Sequence, residues 1–282
     1  MNKSCVLITN GNLFSMIALG EWLAQCGKSI LKVYVTRKPP SSKGNIRGVM
    51  SMFWNSGFSY TWFKIWANKL FPMKLRRKGL PASVKDYLHL CGYQTPVETV
   101  DSANTVAVVA DIRSLEPDYL VSFSATHRFK EPLIESPKHG AINVHYGALP
   151  AYAGLSPYFW HLYNGESSFG VTLHQIVSKL DAGPIIEQDK GSMEGARTAL
   201  EVLLRMAAKV SPMLLRFFNG ETTLEAATPQ DPTGRSYFKH PTRSQMRQFR
   251  RNGFRMMDAA SRKATIDRVR QLVAHASTMV CP

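Results

Sequence analysis

The first 36 residues carry the pattern that most restricts the fold of this chain. Residues 4–9 form a short apolar run, residues 14–26 place apolar side chains at helical spacing, and residues 30–36 form a second apolar run. This pattern predicts a buried strand, a helix that stops at Gly27 and a second buried strand. Because a helix that joins two buried strands is typical of a parallel sheet, we predict an α/β fold with a doubly wound, mostly parallel sheet.

The turn after the first strand lacks the sequence of two common phosphate-binding loops. It is Asn10-Gly11-Asn12, and neither GxGxxG nor GxxxxGK[ST] occurs there. Those loops need their glycines so that backbone N–H groups can approach a phosphate. The sequence therefore supports neither a dinucleotide site nor a P-loop at this turn.

The rest of the chain continues the alternation of strands and helices. Residues 37–79 show no clear periodicity, so we predict an irregular segment. We favour the interpretation that its many aromatic side chains cover an edge of the core. The alternative is a surface for nucleic acid or membrane. Ser211-Pro212 is predicted to interrupt a long helix. We predict strands at 94–97, 118–123, 141–145, 171–177 and 184–188, helices at 84–91, 105–115 and 197–218, and a basic amphipathic helix from Thr242 onward.

Length and composition agree with a folded α/β chain. The 282 residues are 44% hydrophobic and 20% charged, which suits a large core and predicts one large domain or one domain with a modest appendix. No apolar run reaches the roughly 20 residues of a membrane span, and no signal-peptide pattern follows the first run. None of the four cysteines has CxxC spacing, so we expect free thiols and a cytoplasmic location.

The formal net charge of +15 is distributed unevenly. Residues 28–85 hold no acid before Asp86, the residues from Arg235 onward are again basic, and residues 101–200 hold 11 acids against 7 bases. The basic flanks agree with a solvated surface, or with attraction to an acidic ligand, a nucleic acid or an anionic membrane. Charge alone does not choose among these partners.

Asn143, His145 and Asp181 form the constellation that can carry chemistry. Asn143 and His145 stand two apart at the end of a predicted strand, so both side chains lie on one face, and Asp181 follows in a Gly/Pro loop. An amide can donate to a developing oxyanion, an imidazole can move a proton, and a carboxylate can orient the imidazole. The three residues are typical of acyl transfer without a covalent intermediate, although strand-end side chains that merely satisfy loop backbone groups would give the same spacing. Their spacing offers no convincing third metal ligand, so no metal is predicted.

Three ordered motifs resemble the 10-formyltetrahydrofolate-dependent formyltransferase family. They are Asn143-x-His145, Leu149-Pro-x-Tyr152-x-Gly154 and Leu180-Asp-Ala-Gly-Pro-Ile-Ile186. The resemblance covers residues 1–220 in element order and residues 118–188 in detail. It implies a Rossmann-like catalytic domain over residues 1–220, followed by a short, basic, partly helical C-terminal extension over residues 221–282.

The resemblance also implies an activity and its residues. The expected co-substrate is 10-formyltetrahydrofolate, and the amine of the acceptor would attack the formyl carbon directly. Asn143 would donate to the carbonyl oxygen, His145 would handle the proton and Asp181 would assist His145. Thr172 and His174 resemble positions that line the same cleft or orient the Asp181 loop. The implied folate-binding residues are Arg128, Phe129, Lys130, Pro132 and Leu180, and the implied acceptor-binding residues are Asn10, Gly11, Asn12 and Tyr152.

Two departures from the family pattern bear on the acceptor. Many members have Arg where this chain has Ala153, so an acceptor that such a cation would hold is put in doubt. Methionyl-tRNA members carry a C-terminal β-barrel domain, and the 62 residues after Gly220 are short for one. We therefore expect a small-molecule amine, an amino sugar nucleotide or an amino-acid-like compound, as partner rather than a nucleic acid. Methionyl-tRNA formyl transfer and a non-catalytic folate-binding relative are the alternatives, and a membrane-surface contact and a homodimer stay open.

Overall fold

The structure is a computed structural model that describes residues 3–37 and 44–279. Its central sheet has seven strands. They run in the order β3-β2-β1-β4-β5-β7-β8, and β6 and β9 form a separate two-stranded sheet. The bounds are β1 (Cys5–Thr9), β2 (Ile30–Thr36), β3 (Val97–Val100), β4 (Tyr119–Phe123), β5 (Gly140–His145), β6 (Ala153–Gly154), β7 (Ser168–Gln175), β8 (Ile185–Ser192) and β9 (Tyr237–Phe238).

The strand directions confirm the predicted doubly wound, mostly parallel α/β sheet. Strands β3, β2, β1, β4 and β5 pair in parallel, while β7 and β8 add two antiparallel strands at one edge. β2 has the predicted bounds, whereas β3 begins at the last residue of the segment predicted to be extended and β8 runs four residues further than predicted. The order of strands reverses between β1 and β4, which is where an open α/β sheet leaves a crevice for ligands.

Helices cover both faces of the sheet because its central strands are buried on both. Every residue of β1 and β4 is buried. α1 and α8 pack on one face with the larger core cluster, and α5 and α6 contribute to the smaller cluster on the other. The helices are α1 (Leu13–Cys26), α2 (Gly44–Ile65), α3 (Phe71–Arg76), α4 (Val84–Leu90), α5 (Val106–Ser114), α6 (Glu131–Ile134), α7 (Pro157–Tyr163), α8 (Ala199–Asn219), α9 (Arg243–Arg251) and α10 (Ala259–Met279).

The predicted interruption of the long helix at Ser211-Pro212 is wrong. α8 continues through Pro212 from Ala199 to Asn219. The neighbouring Ser211 hydroxyl accepts from the Trp22 backbone N–H at 3.2 Å and donates to the Ala18 carbonyl at 2.7 Å. Packing and these buried hydrogen bonds to α1 therefore outweigh the local cost of a proline inside the helix.

The prediction of an irregular segment over residues 37–79 is also wrong for most of its length. Residues 44–76 form α2, which bends at Gly57, then a π-helical turn, then α3. Residues 38–43 lie outside the described part. The aromatic side chains divide into two sets. Tyr60, Phe63, Trp66 and Phe71 are buried, which confirms the core interpretation for them, whereas Phe53, Trp54, Phe58 and Trp62 are exposed.

The C-terminal residues fold back onto the helices that cover one face of the sheet. The segment from Thr242 forms two helices, α9 and α10, rather than the single helix predicted. α10 packs on α1, where the Leu272 side chain lies against Gly20 and Arg268 pairs with Glu21 at 2.7 Å. The division at residue 220 stays a prediction. None of the helices in residues 3–37 and 44–279 is long and apolar enough to cross a membrane.

Candidate active site

A cavity of about 520 Å³ opens at the carboxyl ends of β1, β4 and β5, beside the reversal of strand order. Its size falls in the range of small-molecule sites. Asn143, His145 and Asp181 all line it, so the tertiary structure brings the predicted catalytic residues together. They reach the cavity from two elements, since β5 carries the first two and the loop between β7 and β8 carries Asp181.

The amide of Asn143 is held by the imidazole of His174. Nδ1 of His174 lies 2.8 Å from the Gln175 carbonyl oxygen, so this nitrogen must donate. The other ring nitrogen, Nε2, then accepts from Asn143 Nδ2 at 3.1 Å. Burial lowers the pKa of His174 to about 4, which keeps this imidazole neutral at pH 7 and able to accept. The pair fixes which end of the Asn143 amide carries the N–H groups.

His145 is oriented by a carbonyl on one side and a carboxylate on the other. Its Nε2 donates to the Tyr152 carbonyl at 2.9 Å, which leaves Nδ1 as the basic nitrogen of the neutral ring. Nδ1 lies 3.8 Å from Asp181 Oδ1, too far for a hydrogen bond but close enough for an ion pair when the imidazole is charged. A proton gained by His145 would therefore lie next to a buried carboxylate.

The loop that carries Asp181 is fixed by residues far along the chain. Asp181 adopts a positive φ of 49°, and its Oδ2 accepts from the Gly154 N–H at 3.0 Å. Arg235 donates to the carbonyls of Leu180 and Asp181 at 2.7 and 3.0 Å. Gln230 donates to the carbonyl of Gly183 at 2.7 Å. Neither Gln230 nor Arg235 was predicted, and no local pattern marks them, because they act on backbone about 50 residues away.

The segment that follows β5 is braced by β7 and β8. Thr172 donates to the Gly147 carbonyl at 2.6 Å and accepts from the Leu149 N–H at 3.2 Å. Gln188 donates to the Leu149 carbonyl at 2.9 Å. Thr172 thus supports the loop rather than lining the cavity, whereas His174 does line it.

Comparison with known proteins identifies the family of this chain. A family model described as "Formyl transferase" matches residues 76–216, half of the chain. The chain belongs to the formyl transferase family. The match includes Asn143, His145 and Asp181.

Solved structures of other formyl transferases share the fold. A sugar N-formyltransferase from Shewanella sp. aligns over 84% of this chain and 77% of its own, with a TM-score of 0.52 and 13% identity. WlaRD, a sugar 3N-formyltransferase solved with dTDP and 5-N-formyl-THF, aligns over 84% and 70%, with a TM-score of 0.50 and 17% identity. Glycinamide ribonucleotide transformylase 1 from Symbiobacterium toebii aligns over 82% and 95%, with a TM-score of 0.50 and 18% identity.

The predicted folate-binding residues of this formyl transferase are only partly gathered at the cavity. Arg128, Phe129 and Leu180 line it, while Lys130 and Pro132 lie beside it at the start of α6. Asn104, which was not predicted, holds this loop. Its side chain donates to the Arg128 carbonyl and accepts from the Lys130 N–H, both at 2.8 Å.

The predicted acceptor-binding residues are also divided. Asn10 lines the cavity, but Asn12 caps α1 by accepting from the Ser15 N–H, and Gly11 packs against Val35. The Tyr152 ring is stacked between His161 and Phe238 and reaches the cavity region through its carbonyl alone. The binding roles of all four residues stay predictions.

Two further side chains that were not predicted line the same cavity. Lys64 comes from α2, and His240 follows β9. His240 Nδ1 lies 2.7 Å from the Tyr60 hydroxyl and 3.3 Å from the Ser156 hydroxyl. Within the described ranges, no three His, Cys, Asp or Glu residues are grouped as a metal site would require.

Proposed function

We propose that this formyl transferase moves a formyl group from 10-formyltetrahydrofolate to the primary amine of a small molecule. The observation that carries the proposal is the convergence of Asn143, His145 and Asp181 on one cavity of small-molecule size. An amide, an imidazole and a carboxylate together suit direct transfer. The amine adds to the formyl carbon to give a tetrahedral intermediate, and the bond to the donor nitrogen then breaks.

Asn143 is suited to stabilise the oxygen of the formyl group. An amide nitrogen carries two hydrogens, and His174 accepts only one of them at Asn143 Nδ2. The second is free to donate to an oxygen that gains negative charge as the amine attacks. A fixed donor of this kind contributes about 3–4 kcal/mol to an acyl-transfer transition state.

His145 is suited to take the proton that the attacking amine loses. Its Nδ1 is the free basic atom because Nε2 donates to the Tyr152 carbonyl. The Asp181 carboxylate, 3.8 Å from Nδ1, lies where it can pair with the imidazolium that results. The same proton can be returned to the donor nitrogen as it leaves, which balances the reaction without another co-reactant.

The cavity also fits the proposed donor. Phe129, Ile176, Val177 and Leu180 give one part of its wall an apolar surface that can contact a flat heterocycle. The exposed side chain of Arg128 lies at the same part, where the acidic tail of a folate could pair with it. The chemistry of these residues therefore agrees with a folate-type co-substrate.

A turnover assay tests the proposal. The purified protein is incubated with 10-formyltetrahydrofolate and a panel of amino sugar nucleotides, amino acids and a methionyl-tRNA, and release of tetrahydrofolate is followed. We expect release that depends on one small amine. His145→Ala and Asn143→Ala should each lower kcat at least about 100-fold, whereas His139→Ala, which removes an exposed histidine, should not.

Two results would contradict this proposal. Turnover with methionyl-tRNA alone would assign the macromolecular acceptor, and folate binding without turnover of any amine would assign the non-catalytic alternative. Rates of both site variants within about threefold of the parent protein would refute the roles of Asn143 and His145.

A further inference from the structure

Lys64 lies in the cavity wall. Lys64 is partly buried on α2, with its ammonium 2.9 Å from the Tyr158 hydroxyl and over the rings of Tyr60, Phe63 and Tyr158. None of the ion pairs among the described residues includes Lys64. The chain has no acid between residues 28 and 85, so α2 itself supplies no counterion.

The ammonium of Lys64 keeps its charge in this setting. Burial disfavours the charged form, but the oxygens of Tyr158 and Tyr60 counteract it, and the pKa of Lys64 lies above its ordinary value. An ammonium has three N–H donors, and these two phenols accept at most two of them. Since no ion pair of the described residues engages Lys64, its third N–H donor can pair with an anion that enters the cavity.

Lys64 lies on the side of the cavity that is formed by the turn after β1, which carries Asn10 and Asn12. One helical turn after Lys64, the Asn68 side chain accepts from Asn12 at 3.3 Å and donates to the Lys64 carbonyl at 2.8 Å. The end of α2 is thereby tied to the loop that carries Asn10. The lining residues Arg128, Phe129 and Leu180 belong to other elements, after β4 and after β7.

Lys64 lies outside the region of this chain that the family model matches. The matched region is residues 76–216, and His240 lies outside it as well. Lys64 and His240 both form a hydrogen bond with the Tyr60 hydroxyl. Ala153, where many relatives have Arg, is fully buried in β6. On this side of the cavity, α2 therefore supplies a cation through Lys64, whereas the loop after β5 has the uncharged Ala153 at this position.

We propose that Lys64 binds an anionic group of the acceptor, a phosphate or a carboxylate, with the acceptor amine directed toward Asn143 and His145. This inference rests on the proposed function, since it names the acceptor as an anion. A phosphate would come from a nucleotide-linked or phosphorylated amine, and a carboxylate from an amino-acid-like amine.

Direct binding measurements test the proposal without turnover. Isothermal titration calorimetry at constant ionic strength is performed with inorganic pyrophosphate, with succinate and with 5-formyltetrahydrofolate. We expect one of the two small anions to bind the parent protein, and Lys64→Met to weaken that binding at least tenfold. Pyrophosphate binding would indicate a phosphate-bearing acceptor, and succinate binding a carboxylate-bearing one.

Matched variants separate this effect from loss of charge or of folding. Lys69→Met removes the same charge from an exposed position five residues away and should leave anion binding unchanged. Lys64→Arg keeps the cation and should bind within about threefold of the parent protein. The melting temperature of each variant, measured without ligand, shows whether it is folded.

The outcomes also separate this inference from the proposed function. Failure of 5-formyltetrahydrofolate to bind the parent protein would count against the proposed function. Normal binding of that folate, together with anion binding that is absent or equal in Lys64→Met, would overturn the role of Lys64 alone. A loss of folate affinity in Lys64→Met of more than tenfold would assign Lys64 to the donor and overturn the inference as well.

Discussion

Arg235 offers a test of how the C-terminal residues support the site. Its two guanidinium nitrogens donate to the carbonyls of Leu180 and Asp181 at 2.7 and 3.0 Å. Asp181 also holds a positive φ of 49°, a conformation that costs about 1–2 kcal/mol for a non-glycine residue. We expect Arg235→Ala to release this loop from the conformation in which the carboxylate faces His145.

The expected magnitude follows from the two hydrogen bonds. A hydrogen bond from a charged donor contributes about 1.5–3 kcal/mol, and partial exposure of Arg235 reduces each bond to about 1 kcal/mol. Losing both therefore costs about 2 kcal/mol, which corresponds to about 30-fold in kcat/KM. Arg235→Lys can reach only one carbonyl and should lose less, about fivefold.

The assay is the initial rate of tetrahydrofolate release, with the affinity for 5-formyltetrahydrofolate as a second measurement, since Leu180 lines the cavity. Arg251→Ala removes an exposed arginine from the end of α9 and serves as control. If Arg235→Ala kept both quantities within twofold of the parent protein while Arg251→Ala did the same, the loop would hold its conformation without Arg235 and the reasoning would be wrong.

Three further variants test other contacts. The pKa of His174 is about 4 in the folded protein against 6.5 ordinarily, so the unfolded chain binds a proton first as the pH falls. The free energy of unfolding should therefore be about 2 kcal/mol lower at pH 5 than above pH 6.5. Urea unfolding should show this loss, and His174→Gln should abolish it. Gly147→Ala would place a Cβ 2.6 Å from the Tyr152 carbonyl oxygen and 2.8 Å from His145 Nε2, so kcat should fall at least about tenfold, and unchanged kcat would contradict the tight fit. Ser211→Ala should lower the free energy of unfolding by about 1–2 kcal/mol, measured by urea titration, with Ser277→Ala, an exposed hydroxyl, expected to change it little.

Elements with a clear period were predictable from the sequence. Residues 30–36 form one apolar run that follows the helix stop at Gly27, and the structure gives β2 those bounds. Residues 44–76 were not predictable as helix, because their apolar side chains do not follow one stripe. They pack against elements distant in sequence, as the contact of Phe63 with Tyr158 of α7 illustrates. The interruption predicted at Pro212 was wrong for a similar reason. Contacts with α1 stabilise this helix, and helix propensity does not describe such contacts.

The sequence by itself determined which side chains with chemical function are candidates at the site, namely an amide, an imidazole and a carboxylate. Asn143 and His145 share one face of a strand, which made them candidates, and the resemblance of their motif and of the Asp181 motif to a known family implied their roles. Tertiary structure alone decided what surrounds them. Gln230 and Arg235 reach the Asp181 loop from the C-terminal segment, and Lys64 reaches the cavity from α2. Their roles depend on contacts between side chains and backbone that are distant in sequence, and such contacts leave no periodic signal in the chain.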